Sequence, residues 1–350
     1  MFDRILGAFS YDMGIDLGTA NTLVYVRGKG ILINEPSVVA INTKTNEILA
    51  IGDRARRMVG KTPAHIVASR PLSDGVVSDF EVTEAMLKYF VSKVHEEIIS
   101  FMPRPRCVIG IPSGVTEVEK RAVLDAAKNA GAREVFLIEE PMAAAIGSRL
   151  PIQDPAGNVI VDIGGGTTEI AVISLGGIVI SKSLRIAGDQ LNTDIMLYLK
   201  EKFNLLIGER TAEEVKIEIG SAYLLDKRIK MEVRGRDMIS GLPRRVIVDN
   251  VMIQEAMAKT CRNIAESVQQ AIEKTPPELV SDIMQRGIML AGGGALLRGL
   301  DYLIHDFTDM PVYIVDDPLT CVVRGTGIVL DDLDNLREVL IDTPYEDVPY

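Results

Sequence analysis

Cysteine is scarce in this chain, tryptophan is absent, and no apolar run is long enough to cross a bilayer. Three widely spaced cysteines (Cys107, Cys261 and Cys321) in 350 residues exclude a disulfide scaffold and a cysteine-ligated metal, and they fit a reducing cytoplasm. A membrane-spanning helix needs about 20 consecutive apolar residues. Residues 1–10 carry Asp3 and Arg4 and no cleavage site, so no signal peptide is expected. Positive charge is also in short supply. Lys and Arg number 38 against 49 Asp and Glu, and the net charge of −11 argues against nucleic acid as a partner and against adhesion to anionic lipid by bulk charge. Aromatics make up 5% of a chain that is 47% hydrophobic, so the apolar content is mostly aliphatic and Met. Such a composition suits parallel strands buried on both faces, and the length predicts about two domains. The expected class is a cytoplasmic α/β protein.

Several familiar site motifs fail at a required position. Gly60-Lys61-Thr62 lacks the earlier glycine of a P-loop, because position 55 is Ala55. Gly292-x-Gly294 lacks the third glycine of a dinucleotide fingerprint, because position 297 is Leu297. His95-Glu96 opens a zinc-protease pattern that Ile99 breaks, and no serine sits in a nucleophile elbow. The three histidines (His65, His95, His305) are scattered and read as structural or surface residues.

What the chain does contain is internal similarity. Gly14-Ile15-Asp16-Leu17-Gly18-Thr19 answers Val161-Asp162-Ile163-Gly164-Gly165-Gly166-Thr167: apolar strand, aspartate, glycine turn, second apolar strand. Cys107-Val108-Ile109-Gly110-Ile111-Pro112-Ser113-Gly114 answers Ile288-Met289-Leu290-Ala291-Gly292-Gly293-Gly294. Val135-Phe136-Leu137-Ile138-Glu139-Glu140-Pro141 answers Val312-Tyr313-Ile314-Val315-Asp316-Asp317-Pro318, where a strand meets two acids and a helix-starting proline. One doubly wound α/β unit used twice explains all three pairs, the second copy carrying the larger insertion. The first insertion reads as a strand meander over 31–33, 38–41 and 48–51. The second holds helices at 191–202 and after a Thr211–Glu214 capping box, then a hairpin turning at 234–237; an amphipathic helix over 251–274 follows the insertion. A further capping box, Thr116 to Glu119, and a helix over 84–97 are expected in the first half.

Two strand–Asp–Gly turns of this kind are suited to phosphate. Consecutive N–H groups of Gly18-Thr19-Ala20-Asn21 and Gly164-Gly165-Gly166-Thr167 form anion cradles, and Asp16 and Asp162 are placed to hold a hydrated Mg²⁺. Taken alone, the second turn is equally a hairpin with a capping aspartate; its pairing with the first favours phosphate. Glu140 either favours a helix N-terminus or orders the water that attacks a γ-phosphate, and pattern does not choose.

Together these stretches resemble the actin, sugar-kinase and heat-shock chaperone ATPase superfamily. Asn34-Glu35-Pro36-Ser37, Glu140-Pro141-Met142-Ala143, Gly235-Arg236-Asp237 and Leu290-Ala291-Gly292-Gly293-Gly294-Ala295-Leu296-Leu297-Arg298-Gly299 narrow the resemblance to the MreB family of bacterial actins over residues 1–330. The resemblance implies a two-lobe actin-like fold. Its first core lobe would be 1–32, 63–147 and 316–350 with a small insert at 33–62; its second would be 148–184 and 250–315 with a larger insert at 185–249. It implies an ATP- and Mg²⁺-dependent, self-polymerising cytoskeletal protein with weak ATPase activity, peripheral at the inner face of the cell membrane and working with the cell-wall elongation machinery. By position, Thr19, Ala20 and Asn21 bind phosphate from one lobe and Gly164 to Thr167 from the other. Glu213, Glu214 and Lys216 match an adenosine-binding helix, and Gly292, Gly293, Gly294, Ala295 and Leu296 the turn under the adenine. Glu140 and Thr167, with Asp162, place the hydrolytic water. A sugar kinase would need a sugar pocket with a catalytic aspartate, and a chaperone a substrate domain after residue 330; no motif supplies either. Two apolar segments are candidate membrane contacts: Ile98, Ile99, Phe101 and Met102, and the 1–10 stretch through Phe2 and Phe9.

Overall fold

In a computed structural model of the protein, residues 10–73, 75–96, 104–225 and 227–342 are described. The candidate membrane residues Phe2, Phe9, Ile98, Ile99, Phe101 and Met102, and the acidic tail from 343, lie outside them. The chain divides into two compact units, one of Met1–Pro155, Ile173–Ile178 and Thr320–Tyr350, the other of Ala156–Val172 and Val179–Leu319.

The first unit is built on a five-stranded sheet in the spatial order Gly30–Pro36, Asn21–Val26, Met13–Leu17, Arg106–Ile111, Glu134–Glu139. The last three strands are parallel, and the first two join them as antiparallel hairpins. Met13, Ile15, Val24 and Ile109 are essentially inaccessible, as the aliphatic composition requires. The helices Phe80–His95 and Glu117–Asn129 share a core with the Ile15 face. The Thr116–Glu119 capping box forms, Thr116 N–H donating to Glu119 Oε2 at 2.7 Å. The preceding helix starts four residues before the expected position 84, because Asp79 accepts the Val82 N–H at 3.1 Å and caps it.

The opposite face is covered by Cys321–Asp331, which brings the chain back to the first unit. This helix meets Glu140–Gly147 backbone to backbone. A Cβ on Gly147 would lie 1.9 Å from Cys321 O, and one on Gly325 1.8 Å from Ala143 O. Any larger side chain at either glycine would force the pair apart. Ahead of the helix, Pro318 opens a 3₁₀ turn, Pro318–Thr320, and not the α-helix itself.

The second unit repeats the plan. Its sheet runs Gly177–Leu184, Thr168–Ser174, Asn158–Ile163, Ile288–Ala291, Val312–Ile314. Each segment of the three similar pairs thus occupies the equivalent strand of its own sheet. The long helix Asn250–Glu273, capped by Asp249 through Met252 N–H at 3.1 Å, buries Ile253, Met257, Cys261, Ile264 and Val268.

Local expectations fail in three further places. Residues 31–33 do not belong to the small meander; Gly30–Pro36 edges the large sheet, and the small sheet of Val39–Asn42 and Glu47–Ile51 is completed by Ile66–Ser69. The Thr211–Glu214 capping box does not form, since Glu209–Ile219 begins two residues before Thr211. The hairpin does not turn at 234–237: Lys230–Asp237 continues as strand, and the turn follows at 238–242. Asp237 fixes that turn by accepting N–H bonds from Ile239 (3.0 Å) and Ser240 (2.8 Å).

His95 is structural, as its isolation in the sequence suggests. Its Nδ1 lies 2.7 Å from Val91 O and its Nε2 accepts the Tyr11 N–H at 3.0 Å, an arrangement only the neutral ring satisfies. Burial, opposed by the Val91 carbonyl and aided by Lys29, pushes its pKa below the ordinary value. The native state therefore binds fewer protons here than the unfolded chain. Stability from His95 is complete above about pH 6.5 and is lost as pH falls through the depressed folded value. Denaturant unfolding between pH 8 and pH 5 should show this loss, and His95→Gln, which does not titrate, should flatten it.

Candidate functional site

In the first unit, three parallel strands end side by side. Asp16 pairs with Gly110, and Glu139 with Ile111, so the ends of Met13–Leu17, Arg106–Ile111 and Glu134–Glu139 share one edge. Ligands of open α/β sheets bind outside such carboxyl ends. Glu140 is 7% exposed and starts its helix beside Pro141. Its side chain passes over the middle strand: a Cβ on Gly110 would be 3.5 Å from Glu140 Cγ. The neighbouring Glu139 is held by the Ser113 hydroxyl, which leaves Glu140 as the carboxylate over the strand ends.

The Gly18-Thr19-Ala20 turn links Met13–Leu17 to Asn21–Val26. Glycine is required at its start, because a Cβ on Gly18 would be 2.8 Å from Asn21 O. Thr19 is buried, and its Oγ1 accepts the Gly75 N–H at 3.0 Å. The loop's carbonyls point inward. Gly18 O accepts from Ser37 Oγ at 2.6 Å, and Ala20 O accepts the Ser37 N–H at 3.0 Å.

The second unit carries the other expected glycine loop. Gly164-Gly165-Gly166 closes a hairpin through Gly164 N–H to Thr167 O at 2.9 Å. Here too the carbonyls are taken. The first amides of the helix Gly188–Phe203 serve them, Gly188 N–H to Gly164 O at 3.2 Å and Asp189 N–H to Gly165 O at 2.8 Å. A trans peptide points its C=O and N–H in opposite directions. Occupied carbonyls on one side therefore leave amides on the other, the arrangement that cradles an anion.

Asp162 and the Gly292-Gly293-Gly294 turn, separate motifs in the sequence, come together. Asp162 pairs with Ala291, and a Cβ on Gly292, whose φ is +77°, would lie 2.4 Å from Asp162 Oδ1. Asp162 is buried, and desolvation raises its pKa to about 7. Such a carboxylate suits a cation, and Mg²⁺ uses one or two carboxylates with waters and phosphate. Among the described residues no cluster of three or more metal-ligating side chains exists.

The helix Glu209–Ile219 divides its candidates. Lys216 Nζ donates to Gly188 O at 2.9 Å, next to the helix start that holds the glycine loop. Glu213 is half-buried, whereas Glu214 is exposed and pairs with Arg210 at 3.1 Å. Ala295 is buried and Leu296 is 53% exposed in the 3₁₀ turn Gly293–Leu296. Thr167 is 7% exposed at the close of its loop. The sequence motifs did not single out Ser37, Gly110 or Ser113 as site residues.

The doubled sheet order and the two glycine loops define an actin-like, two-lobe α/β fold. Solved structures agree: MreB5 of Spiroplasma citri bound to ADP superposes with a TM-score of 0.88 at 40% identity, covering 94% of this chain and 98% of that one. The same protein bound to AMPPNP gives 0.89 over the same shares. The MamK double helical filament, at 24% identity and a TM-score of 0.76, shares the fold over 92% of this chain and 99% of its own.

Within that class the assignment is specific. The MreB/Mbl protein family model matches residues 10–338. Cell shape-determining protein Mbl of Bacillus cereus is 50% identical over 94% of this chain and 98% of its own, and cell shape-determining protein MreB of Escherichia coli is 51% identical over 95% and 97%. The chain belongs to the MreB/Mbl family.

Proposed function

We propose that this protein binds Mg·ATP, polymerises into actin-like filaments, hydrolyses the nucleotide slowly and acts in determining cell shape. The observation that carries the reading is the pair of glycine loops whose carbonyls are held from behind, one beside Asp16 and Glu140, the other beside Asp162, Gly292 and Lys216. The loops bind phosphate, Asp16 and Asp162 hold Mg²⁺ through water, and Glu140 with Thr167 orders the attacking water. Relatives named for cell shape, and a related structure holding AMPPNP, support it.

Self-association has two candidate surfaces in the second unit. The hairpin tip exposes Ile239 (83%), Leu242 (65%) and Met238 (45%) on the turn that Asp237 fixes. Hydrogen bonds from Ser240 and Arg244 hold the Asp237 pKa down at about 2, so Asp237 stays ionised at physiological pH. Elsewhere, Ile272, Pro277, Val280, Phe307 and Glu273 line a cavity of 420 Å³. The apolar tip, with Arg236 beside it, suits this cavity with its carboxylate in a second copy. Two different patches make a heterologous contact, which propagates without closing.

Membrane attachment belongs to the same proposal. No described helix is long and apolar enough to cross a membrane. The stems of both candidate segments are tied together, Arg104 N–H to Ser10 Oγ at 2.8 Å and Tyr11 N–H to His95. Weak apolar contacts repeated along a filament add up to firm binding, through which wall synthesis at the inner face would be organised.

Sedimentation with and without ATP tests the reading. The parent should pellet with ATP, and Ile239→Asp should stay in the supernatant while binding ATP normally. A parent that remains monomeric with ATP in several salts would overturn it.

A further inference from the structure

We infer that Ser37 is the positioning residue of the first phosphate loop: its hydroxyl locks the Gly18–Thr19 peptide so that the Thr19 N–H faces the nucleotide. The inference rests on the phosphate-binding reading above and adds to it a residue outside the loop.

Ser37 is fully buried, as is Thr22. Its Oγ donates to Gly18 O at 2.6 Å, and its N–H donates to Ala20 O at 3.0 Å. Thr22 Oγ1 lies 2.9 Å from Ser37 Oγ. A hydroxyl has one proton, and that of Ser37 is committed to Gly18, so Thr22 is the donor in the second bond. The chain Thr22 to Ser37 to Gly18 thus has one direction and no spare donor.

All peptide bonds in the described backbone are trans. In a trans peptide the carbonyl of one residue and the N–H of the next point oppositely. Fixing Gly18 O and Ala20 O toward Ser37 therefore turns the N–H groups of Thr19 and Asn21 away from the buried serine.

Gly18 makes such a lock necessary. The turn demands glycine for its close approach to Asn21 O. Glycine also accepts backbone angles closed to other residues, so ψ on the Gly18 side of the 18–19 peptide is unrestrained until Ser37 fixes it. A flipped peptide would present a carbonyl to a phosphate.

The second loop supports the assignment independently. There Gly164 O, the counterpart of Gly18 O, and the next carbonyl, Gly165 O, are held by the Gly188 and Asp189 amides at a helix start. Both loops solve one problem, the second with backbone donors and the first with the backbone and side chain of Ser37. Because Ser37 directly follows the strand Gly30–Pro36 and precedes Val39–Asn42 of the small sheet, it also ties that sheet's entry to the loop.

The test compares ATP and adenosine binding by the full-length parent, Ser37→Ala and Ser37→Cys, with melting midpoints recorded alongside. Ser37→Ala should weaken ATP binding roughly tenfold or more, the effect of misaligning a hydrogen bond to a charged group, and leave adenosine binding unchanged. Ser37→Cys, similar in size with a weak S–H donor, should fall between and remains informative if the alanine variant folds poorly. A merely structural serine would lower the melting midpoint and affect both ligands alike, which would overturn the inference. Equal ATP affinity in parent and Ser37→Ala would overturn it while leaving the nucleotide reading intact. A parent that binds no ATP would overturn both.

Discussion

Asp162→Asn should abolish Mg-dependent ATP binding and at the same time make the nucleotide-free protein more stable. The two effects have one source. Asp162 is buried against the Gly292 backbone, and desolvation raises its pKa to about 7. A carboxyl whose folded pKa lies above its unfolded value binds more protons in the native state, so native stability falls as pH rises from about 4 to about 7. Without nucleotide, the ionised aspartate is thus a liability near neutral pH, and the width of that pH interval sets an upper scale of about 4 kcal/mol. Asn removes the charge in the same volume, so its melting midpoint should exceed that of the parent at pH 8 and match it near pH 4. With Mg·ATP the order reverses, because the carboxylate that the cation needs has gone. If Asp162→Asn binds Mg·ATP like the parent, Asp162 is not the metal's carboxylate.

Much of this arrangement could be read from the sequence, for physical reasons. The duplication was legible because strands buried on both faces leave unbroken aliphatic runs, and each run ends in an acid or glycine at the carboxyl edge of its sheet. The long helix from Asn250 was legible because its buried residues recur at helical spacing. Misplaced elements were those fixed by tertiary contact. Thr211-x-x-Glu214 has the form of a cap, yet the helix begins at Glu209, where Gly208 precedes it without a side-chain bond. Residues 31–33 look like part of a meander because pairing partners leave no local trace; only the register with Asn21–Val26 assigns them to the large sheet. For the candidate site, the glycine loops and their aspartates stood out as motifs in the sequence, while Ser37 did not. Its role depends on two carbonyls 17 to 19 positions earlier, and nothing in a buried serine's neighbours reveals which acceptor it will find.

Glu140→Ala should separate hydrolysis from binding. Glu140 leans over Gly110 at the ends of the parallel strands, and Ser113 holds the adjacent Glu139 elsewhere. If Glu140 orders the attacking water, its contribution is made in the transition state, where positioned acid–base groups are worth roughly 10²–10⁴-fold in rate. Ground-state ATP binding rests on the loop amides and the cation, so affinity should change little. Phosphate release should slow by about two orders of magnitude or more, and sedimented filaments should persist after dilution instead of turning over. Glu140→Gln adds a second reading, since it keeps the shape and a hydrogen bond but cannot accept a proton. Activity retained in Gln and lost in Ala would make Glu140 a water-orienting group; loss in both would make it the base. A helix-start carboxylate with no part in the chemistry would instead lose roughly 0.3–1 kcal/mol of stability in either variant, with turnover unchanged.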